Sequence, residues 1–216
     1  MKTIIIPYAF SDEFIYFSNK YNIDINVKEC KATINNNTIV FINTGVGKVN
    51  AASTIQKMID LYKSDYVINC GCLASLTKEL PNKGIIISNE MFYHDFTPVD
   101  IMNKYVPNNG ILYSDTNLQE IALKACHNLN LKDFFIENIA SGDCYVTTKD
   151  KVNEILKLGV KCVDMETSAL AHVCNQNNIP FISIKGISDF ADGNDIDEES
   201  ASIRASKVVD EILNII

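Results

Sequence analysis

Two kinds of apolar run take turns along this chain, and that alternation constrains the fold more than any other feature. KTIIIP (2–7) and TIVFIN (38–43) are β-branched runs, and DYVINCG (65–71), GIIISNEMFYHD (84–95), DFFIENIAS (133–141) and IPFISIKGIS (179–188) also read as strands. Between them VNAASTIQKMIDLYKS (49–64), TNLQEIALKACHNL (116–129), KDKVNEILKLG (149–159) and METSALAHVCNQNN (165–178) have helical apolar spacing. A last helix is predicted from about Glu198 to the C-terminus, and the helix over 149–159 stops at Gly159. No repeat or low-complexity linker interrupts the series. The pattern predicts an α/β sandwich, one domain over residues 1–216, whose ligands sit beyond the carboxyl ends of the strands.

Composition narrows the function classes. Hydrophobic residues make up 47% of the 216, and apolar runs are spread over the whole length, so the chain can bury a sizeable core. The formal charge is -8 and Arg204 is the sole arginine, which leaves no guanidinium cluster to grip phosphates or guanine edges; nucleic acid is excluded as an expected partner. The apolar stretch in MKTIIIPYAFSDEF is too short for a secretion signal, and no run approaches the roughly 18 apolar residues of a membrane span, so a cytoplasmic placement away from membranes is expected. Seven scattered cysteines, an odd number, read as reduced thiols. Cys70-Gly-Cys72 is too tight, and too far from a second pair, to suggest zinc; no metal site is expected.

Motifs at strand ends then carry the chemistry. TGVGKVNAA (44–52) is a glycine turn between a strand and a helix that has neither the spacing of a Walker phosphate loop nor the third glycine of GxGxxG, so a tight turn explains it by itself. NCGCLASL (69–76) and SGDCYV (141–146) are further small-residue turns after strands. In VDMETSALAHVC (163–174) Asp164 and Glu166 share a face if the segment is extended, and Glu166 also suits the first turn of a helix for dipole reasons alone. GISDFAD (186–192) sets Asp189 where a buried strand surfaces; it could cap the next stretch of chain or hold and donate a proton.

Taken in order, SDE (11–13), TGVGKVNAA, the INCG turn, SNEMFYHD (88–95), ASGDCYV, VDMETSALAHVC and PFISIKGISDFAD (180–192) resemble the purine nucleosidase and phosphorylase superfamily, most closely the 5'-methylthioadenosine/S-adenosylhomocysteine nucleosidases. The resemblance covers nearly the whole chain, and YHD, SGD and the last two segments are its specific parts. It implies a three-layer α/β sandwich around a central mixed, partly closed sheet, a homodimer with sites near the interface, a small nucleoside as substrate and no cofactor. Asp189 matches the acid that protonates purine N7, with Ser188 orienting it. Glu166 matches the carboxylate that binds the ribose hydroxyls, and Met165 lies against the sugar. Tyr145 and Val146 match the residues that stack on the base and present backbone to its edge, and Glu13 matches the carboxylate that positions water.

Breaking a ribosyl N-glycosidic bond explains these residue types. The sugar becomes an oxocarbenium cation while electrons flow into a purine that leaves poorly unless N7 is protonated. One carboxyl must therefore keep a proton while another stays ionised, and environment can separate the two. Burial behind PFISIKGI is expected to serve Asp189, and a polar, partly wet setting to serve Glu13. General acid help of this kind is worth about a hundred- to ten-thousand-fold in rate.

Water and phosphate are the competing nucleophiles. Phosphorylases grip phosphate with arginines, commonly one just before the glycine turn after the strand equivalent to DYVIN; here that place holds Asn69, and Arg204 lies in the terminal helix. Hydrolysis is favoured, with phosphorolysis or a catalytically weak purine-binding role as the alternatives. The chain departs from the family pattern at Cys72, where a Ser is usual, at Leu73-Ala74-Ser75 in place of a small Ala-Gly-Gly, and at Lys185 in place of an Arg that supports the water network. FTPVDIMNKYVPNN (96–109) does not align with the part that walls the 5' pocket. His94, His127 and His172 are expected to be surface or satisfied histidines, and the acids between Asp192 and Glu199 a solvated loop entering a helix.

Overall fold

The predicted strands pair into one sheet because each carries apolar side chains on both faces, so neither face can be left to water. The computed structural model describes Met1–Ile216. Its strands are β1 (Thr3–Tyr8), β2 (Glu29–Ile34), β3 (Asn37–Asn43), β4 (Tyr66–Ser75), β5 (Ile85–Tyr93), β6 (Leu112–Tyr113), β7 (Phe134–Ser141), β8 (Cys162–Asp164) and β9 (Phe181–Asp189). Its helices are α1 (Ile15–Tyr21), α2 (Lys48–Tyr62), α3 (Val99–Tyr105), α4 (Pro107–Gly110), α5 (Thr116–Asn128), α6 (Lys149–Leu156), α7 (Thr167–Gln176) and α8 (Glu198–Ile215), with a 3₁₀ turn at Ser11–Phe14. None is long and apolar enough to cross a membrane.

Alternate side chains go to opposite layers. Ile4, Ile6, Ile39, Phe41 and Ile68 share a core with Leu118 and Ala122 of α5, Val208 and Ile212 of α8, and Phe17 of α1. Ile5, Val40, Ile42 and Val67 share the other with Ile55 and Met58 of α2 and Leu170 and Cys174 of α7. Each such side chain, fully buried, contributes about 1.5–3 kcal/mol. The result is the three-layer α/β arrangement expected, with strand order β2-β3-β1-β4-β8-β7-β5-β6. The sheet partly closes because β9 pairs with both β4 and β5, so that β4, β8, β7, β5 and β9 form a ring.

Two apolar faces cannot by themselves fix strand register, since a slip exposes nothing. Buried polar groups do. Asn69 of β4 lies opposite Ser183 of β9 and accepts its hydroxyl at 2.8 Å, while its amide donates to Pro7 O of β1 at 3.2 Å. Ser183 N in turn donates to Ser88 Oγ of β5 at 2.8 Å. Helix α8 packs so close to β9 that a Cβ on Gly186 would lie 2.1 Å from Ala201 O.

The elements missed by periodicity are short or half-exposed. Strand β2 sits at the sheet edge and turns into β3 through Asn35 and Asn36, both left-handed (φ 49° and 67°); that Asn pair was the available hairpin signal. Strand β8 has three residues, and α1, α3, α4 and β6 are also short. The helix expected from 165 begins at Thr167, and β9 runs one residue further than expected, to Asp189 itself.

Candidate active site

The carboxyl ends of β4 and β9, the β8–α7 junction, the turns after β1 and β3 and the segment after β7 surround one cleft of about 350 Å³. Of the residues singled out from sequence, Asp189, Ser188, Glu13, Glu166, Met165, Tyr145, Val146 and Cys72 all line it. Lys185 does not: it lies behind the wall, 1% exposed.

Asp189 reaches the cleft through a bulge. Leu73 pairs with Ile187, but Ala74 pairs with Asp189, so Ser188 is the extra residue that re-aims the end of β9. Ser188 Oγ contacts Leu73 O at 3.0 Å and Asp189 Oδ2 at 2.7 Å, one hydroxyl hydrogen serving two neighbours. Asp189 Oδ1 accepts from Ala191 N at 2.8 Å. The carboxyl thus caps its own turn, whereas Asp197 is what caps α8, accepting from Ser200 N at 3.3 Å.

Glu13, on the 3₁₀ turn after β1, is 2% exposed, so the partly wet setting expected for it gives way to a dry one. Its Oε2 accepts from Ala9 N at 2.6 Å and its Oε1 from Cys72 N at 2.9 Å, with Lys185 Nζ 3.7 Å away. Two backbone N–H donors and one nearby ammonium thus surround the carboxyl group. The approach is possible only because residue 71 is glycine: a Cβ there would fall 1.7 Å from Glu13 Oε1.

Asp164 anchors the opposite wall. It accepts from Ser141 Oγ at 2.5 Å, from the Thr167 hydroxyl and from the N–H groups of Glu166 and Thr167, satisfying donors at the start of α7. Lys185 Nζ is 3.5 Å from its Oδ2. Burial alone would pull the Lys185 ammonium down, but Glu13, Asp164 and Glu166 outweigh it and hold it above its ordinary value. Freed from capping by Asp164, Glu166 turns into the cleft, where its Oε1 accepts from Gly47 N at 2.7 Å. Burial first, then Asp164, push its carboxyl up to about 8.

Met165 is half-buried, Val146 is buried, and Tyr145 stands 56% exposed at the mouth. Partial burial and then the charge of Asp189 raise the Tyr145 hydroxyl above its ordinary range. Burial and then Glu13 push the Cys72 thiol well above its ordinary value, so it lines the cleft as a neutral group. Glu198, at the start of α8, also lines the cleft and was not distinguished from the acidic loop in the sequence. The histidine expectation fails at one position. His172 Nδ1 lies 3.1 Å from Tyr93 Oη, but His94 is 5% exposed with neither ring nitrogen bonded, and burial lowers it from its ordinary value.

Residues 26–214 match the family model of the phosphorylase superfamily, and the chain belongs to that superfamily. It is 32% identical over 186 residues to a 5'-methylthioadenosine/S-adenosylhomocysteine nucleosidase of Exiguobacterium sp. (strain ATCC BAA-1283 / AT1b), covering 82% of this chain and 80% of that one. It is 35% identical over 169 residues to the nucleosidase of the same name from Haemophilus influenzae (strain PittEE), covering 74% and 72%. The nucleosidase of Neisseria meningitidis in complex with methylthio-immucillin-A superposes over 100% of both chains with a TM-score of 0.87 at 28% identity. Futalosine hydrolase of Helicobacter pylori shares the fold, with a TM-score of 0.89 at 21% identity over 100% of this chain and 98% of that one. Within the superfamily this chain is an N-glycosyl hydrolase of the nucleosidase family.

Proposed function

We propose that this protein hydrolyses the N-glycosidic bond of a 5'-modified adenosine, 5'-methylthioadenosine or S-adenosylhomocysteine, and releases adenine. Asp189 donates a proton to N7 as the bond from the sugar to the purine breaks. Water adds to the anomeric carbon and gives its proton to Glu13. Glu166 accepts hydrogen bonds from the ribose hydroxyls, and Tyr145 and Val146 hold the base. Phe10 and Val46, beside Glu13 and next to Gly47, offer an apolar wall suited to a thioether at the 5' position.

The observation that carries hydrolysis over phosphorolysis is the charge of the lining. Glu13, Asp164, Glu166, Asp189 and Glu198 face the cleft, and no lysine or arginine does. A phosphate dianion would meet repulsion there without a cation to hold it, whereas an oxocarbenium sugar would be stabilised. Arg204 instead donates to Ile187 O at 2.8 Å. Ser188 Oγ, shared between Leu73 O at 3.0 Å and Asp189 Oδ2 at 2.7 Å, holds the Asp189 carboxyl in place for the role proposed here.

Incubation with 5'-methylthioadenosine in phosphate-free buffer is the test. Adenine should appear at a rate indifferent to added phosphate. Release only after phosphate is supplied would make the enzyme a phosphorylase, and tight adenine binding without any turnover would make it a binding protein.

A further inference from the structure

YHD and SGD carry much of the family resemblance, yet neither acid, base nor ribose carboxylate lies in them. The structure joins them through Lys48 of TGVGK. Lys48 Nζ lies 2.5 Å from Asp95 Oδ1, 3.9 Å from Asp143 Oδ2, and 5.5 Å from the centre of the Tyr93 ring. Asp143 N donates to Asp95 Oδ2 at 2.8 Å, and Lys48 N donates to Asp143 Oδ1 at 2.8 Å. Three segments are thus closed into one circuit of charge-assisted bonds.

The circuit needs two glycines at its crossing points. A Cβ on Gly142 would fall 2.3 Å from His94 Cε1 and 2.8 Å from Asp95 Cγ, and one on Gly47 would fall 3.1 Å from Asp143 Oδ1. Between β7 and α6 the chain is irregular, and within Cys144–Thr147 the one side-chain hydrogen bond is a weak one, from Cys144 Sγ to Tyr145 O at 3.8 Å. Val146 is held by packing beside Ala140, Ile155 and Val163, so Asp143 is the nearest polar anchor on the N-terminal side of Tyr145, which stands exposed between the two. On its other side the circuit begins one residue after Gly47, whose N–H holds Glu166. Burial would raise the Asp95 carboxyl, but Lys48 and the Asp143 N–H outweigh it and hold Asp95 below its ordinary value, as expected of an anion that both bonds favour.

We infer that Lys48 is a positioning residue: through Asp95 and Asp143 it fixes the N-terminal end of the segment that carries Tyr145 to the packed Val146, and so sets the affinity of the cleft for the purine half of its substrate. This rests on the purine role proposed above for those two residues. An unanchored segment would pay its ordering entropy on each binding event, which weakens binding more than it slows the chemistry of a substrate once bound.

The test uses the full chain, with adenine as the binding probe in calorimetry and 5'-methylthioadenosine in steady-state kinetics. Lys48→Met should raise both the adenine Kd and the KM by about tenfold or more while kcat falls less. Lys48→Arg should restore most of the loss. Asp95→Asn should act in the same direction, and the double variant should be little worse than the worse single one, because the two share one circuit. Asp95→Asn carries the test by itself where Lys48→Met fails to fold. Unchanged adenine affinity in these variants, or effects of the two that simply add, would overturn the inference. Wild-type protein that neither binds adenine nor releases it would overturn the functional reading and this one together, whereas an active wild type with indifferent Lys48 and Asp95 variants would overturn this one alone.

Discussion

Asp189 and Glu13 line one cleft and are both buried, yet they sit in opposite electrostatic company. Around Glu13 the chain places two backbone N–H donors and the ammonium of Lys185, which also lies 3.5 Å from Asp164. Around Asp189 it places a hydroxyl and a single N–H, and no ammonium or guanidinium within ion-pair distance. A single buried lysine thus stands beside one of the two proposed catalytic carboxyl groups and not beside the other. The difference comes from placement, since the side chains are nearly alike in chemistry.

The largest effect should come from Asp189, the proposed proton donor. Asp189→Asn keeps the shape but has no acidic proton to give, and turnover should fall by about 10²–10⁴-fold while adenine affinity is largely retained. Unchanged turnover would remove the proton donor from the scheme.

On the other side, Lys185→Met would leave Glu13, Asp164 and Glu166 without their shared cation. Removing one partner of a buried ion pair costs about 3–5 kcal/mol, and denaturant unfolding should register a loss of that order. A variant as stable as the parent would show that the carboxylates do not depend on the lysine.

Glu166 sharpens the contrast through pH. Its carboxyl is pushed up to about 8 from the ordinary 4.5, first by burial and then by Asp164. A folded-state value above the unfolded one means that the folded chain holds a proton the unfolded chain has released, so across that window stability declines as pH rises. In the role proposed for Glu166, ribose hydroxyls would donate to the ionised form, so nucleoside binding should release a proton. Affinity should therefore rise with pH up to about 8 and level off above it, and Glu166→Gln should flatten the profile. Isothermal titration in buffers of different ionisation enthalpy measures the released proton directly.

Cys72→Ser should have the smallest effect. What Glu13 uses at this position is the backbone N–H, which the substitution keeps, and the thiol is a neutral part of the lining. A large loss of turnover would mean that the sulfur itself takes part.

The layers of the fold were legible because the strand runs are apolar on both faces, which only a covered sheet can satisfy. The edge strand β2 was not, because its half-exposed ECKATI carries too little apolar signal. Asp189, Glu13 and Glu166 were found through motif resemblance, and they converge on one cleft although they lie far apart in sequence. Lys185 was singled out only as a departure from the family pattern, although a lysine inside the apolar run PFISIKGIS, here fully buried, needs carboxylates to come to it. Which carboxylates come could not be read, because Glu13 and Asp164 reach it from distant segments. The links among Lys48, Asp95 and Asp143 were hidden for the same reason.

The most direct measurement is a crystal structure with a non-hydrolysable 5'-thio-substituted adenosine analogue in the cleft. Purine N7 should lie about 2.6–3.2 Å from an Asp189 carboxyl oxygen, with the ribose hydroxyls on Glu166 and the base against Tyr145. A purine whose N7 faces another group, with Asp189 touching neither base nor sugar, would contradict its role as proton donor.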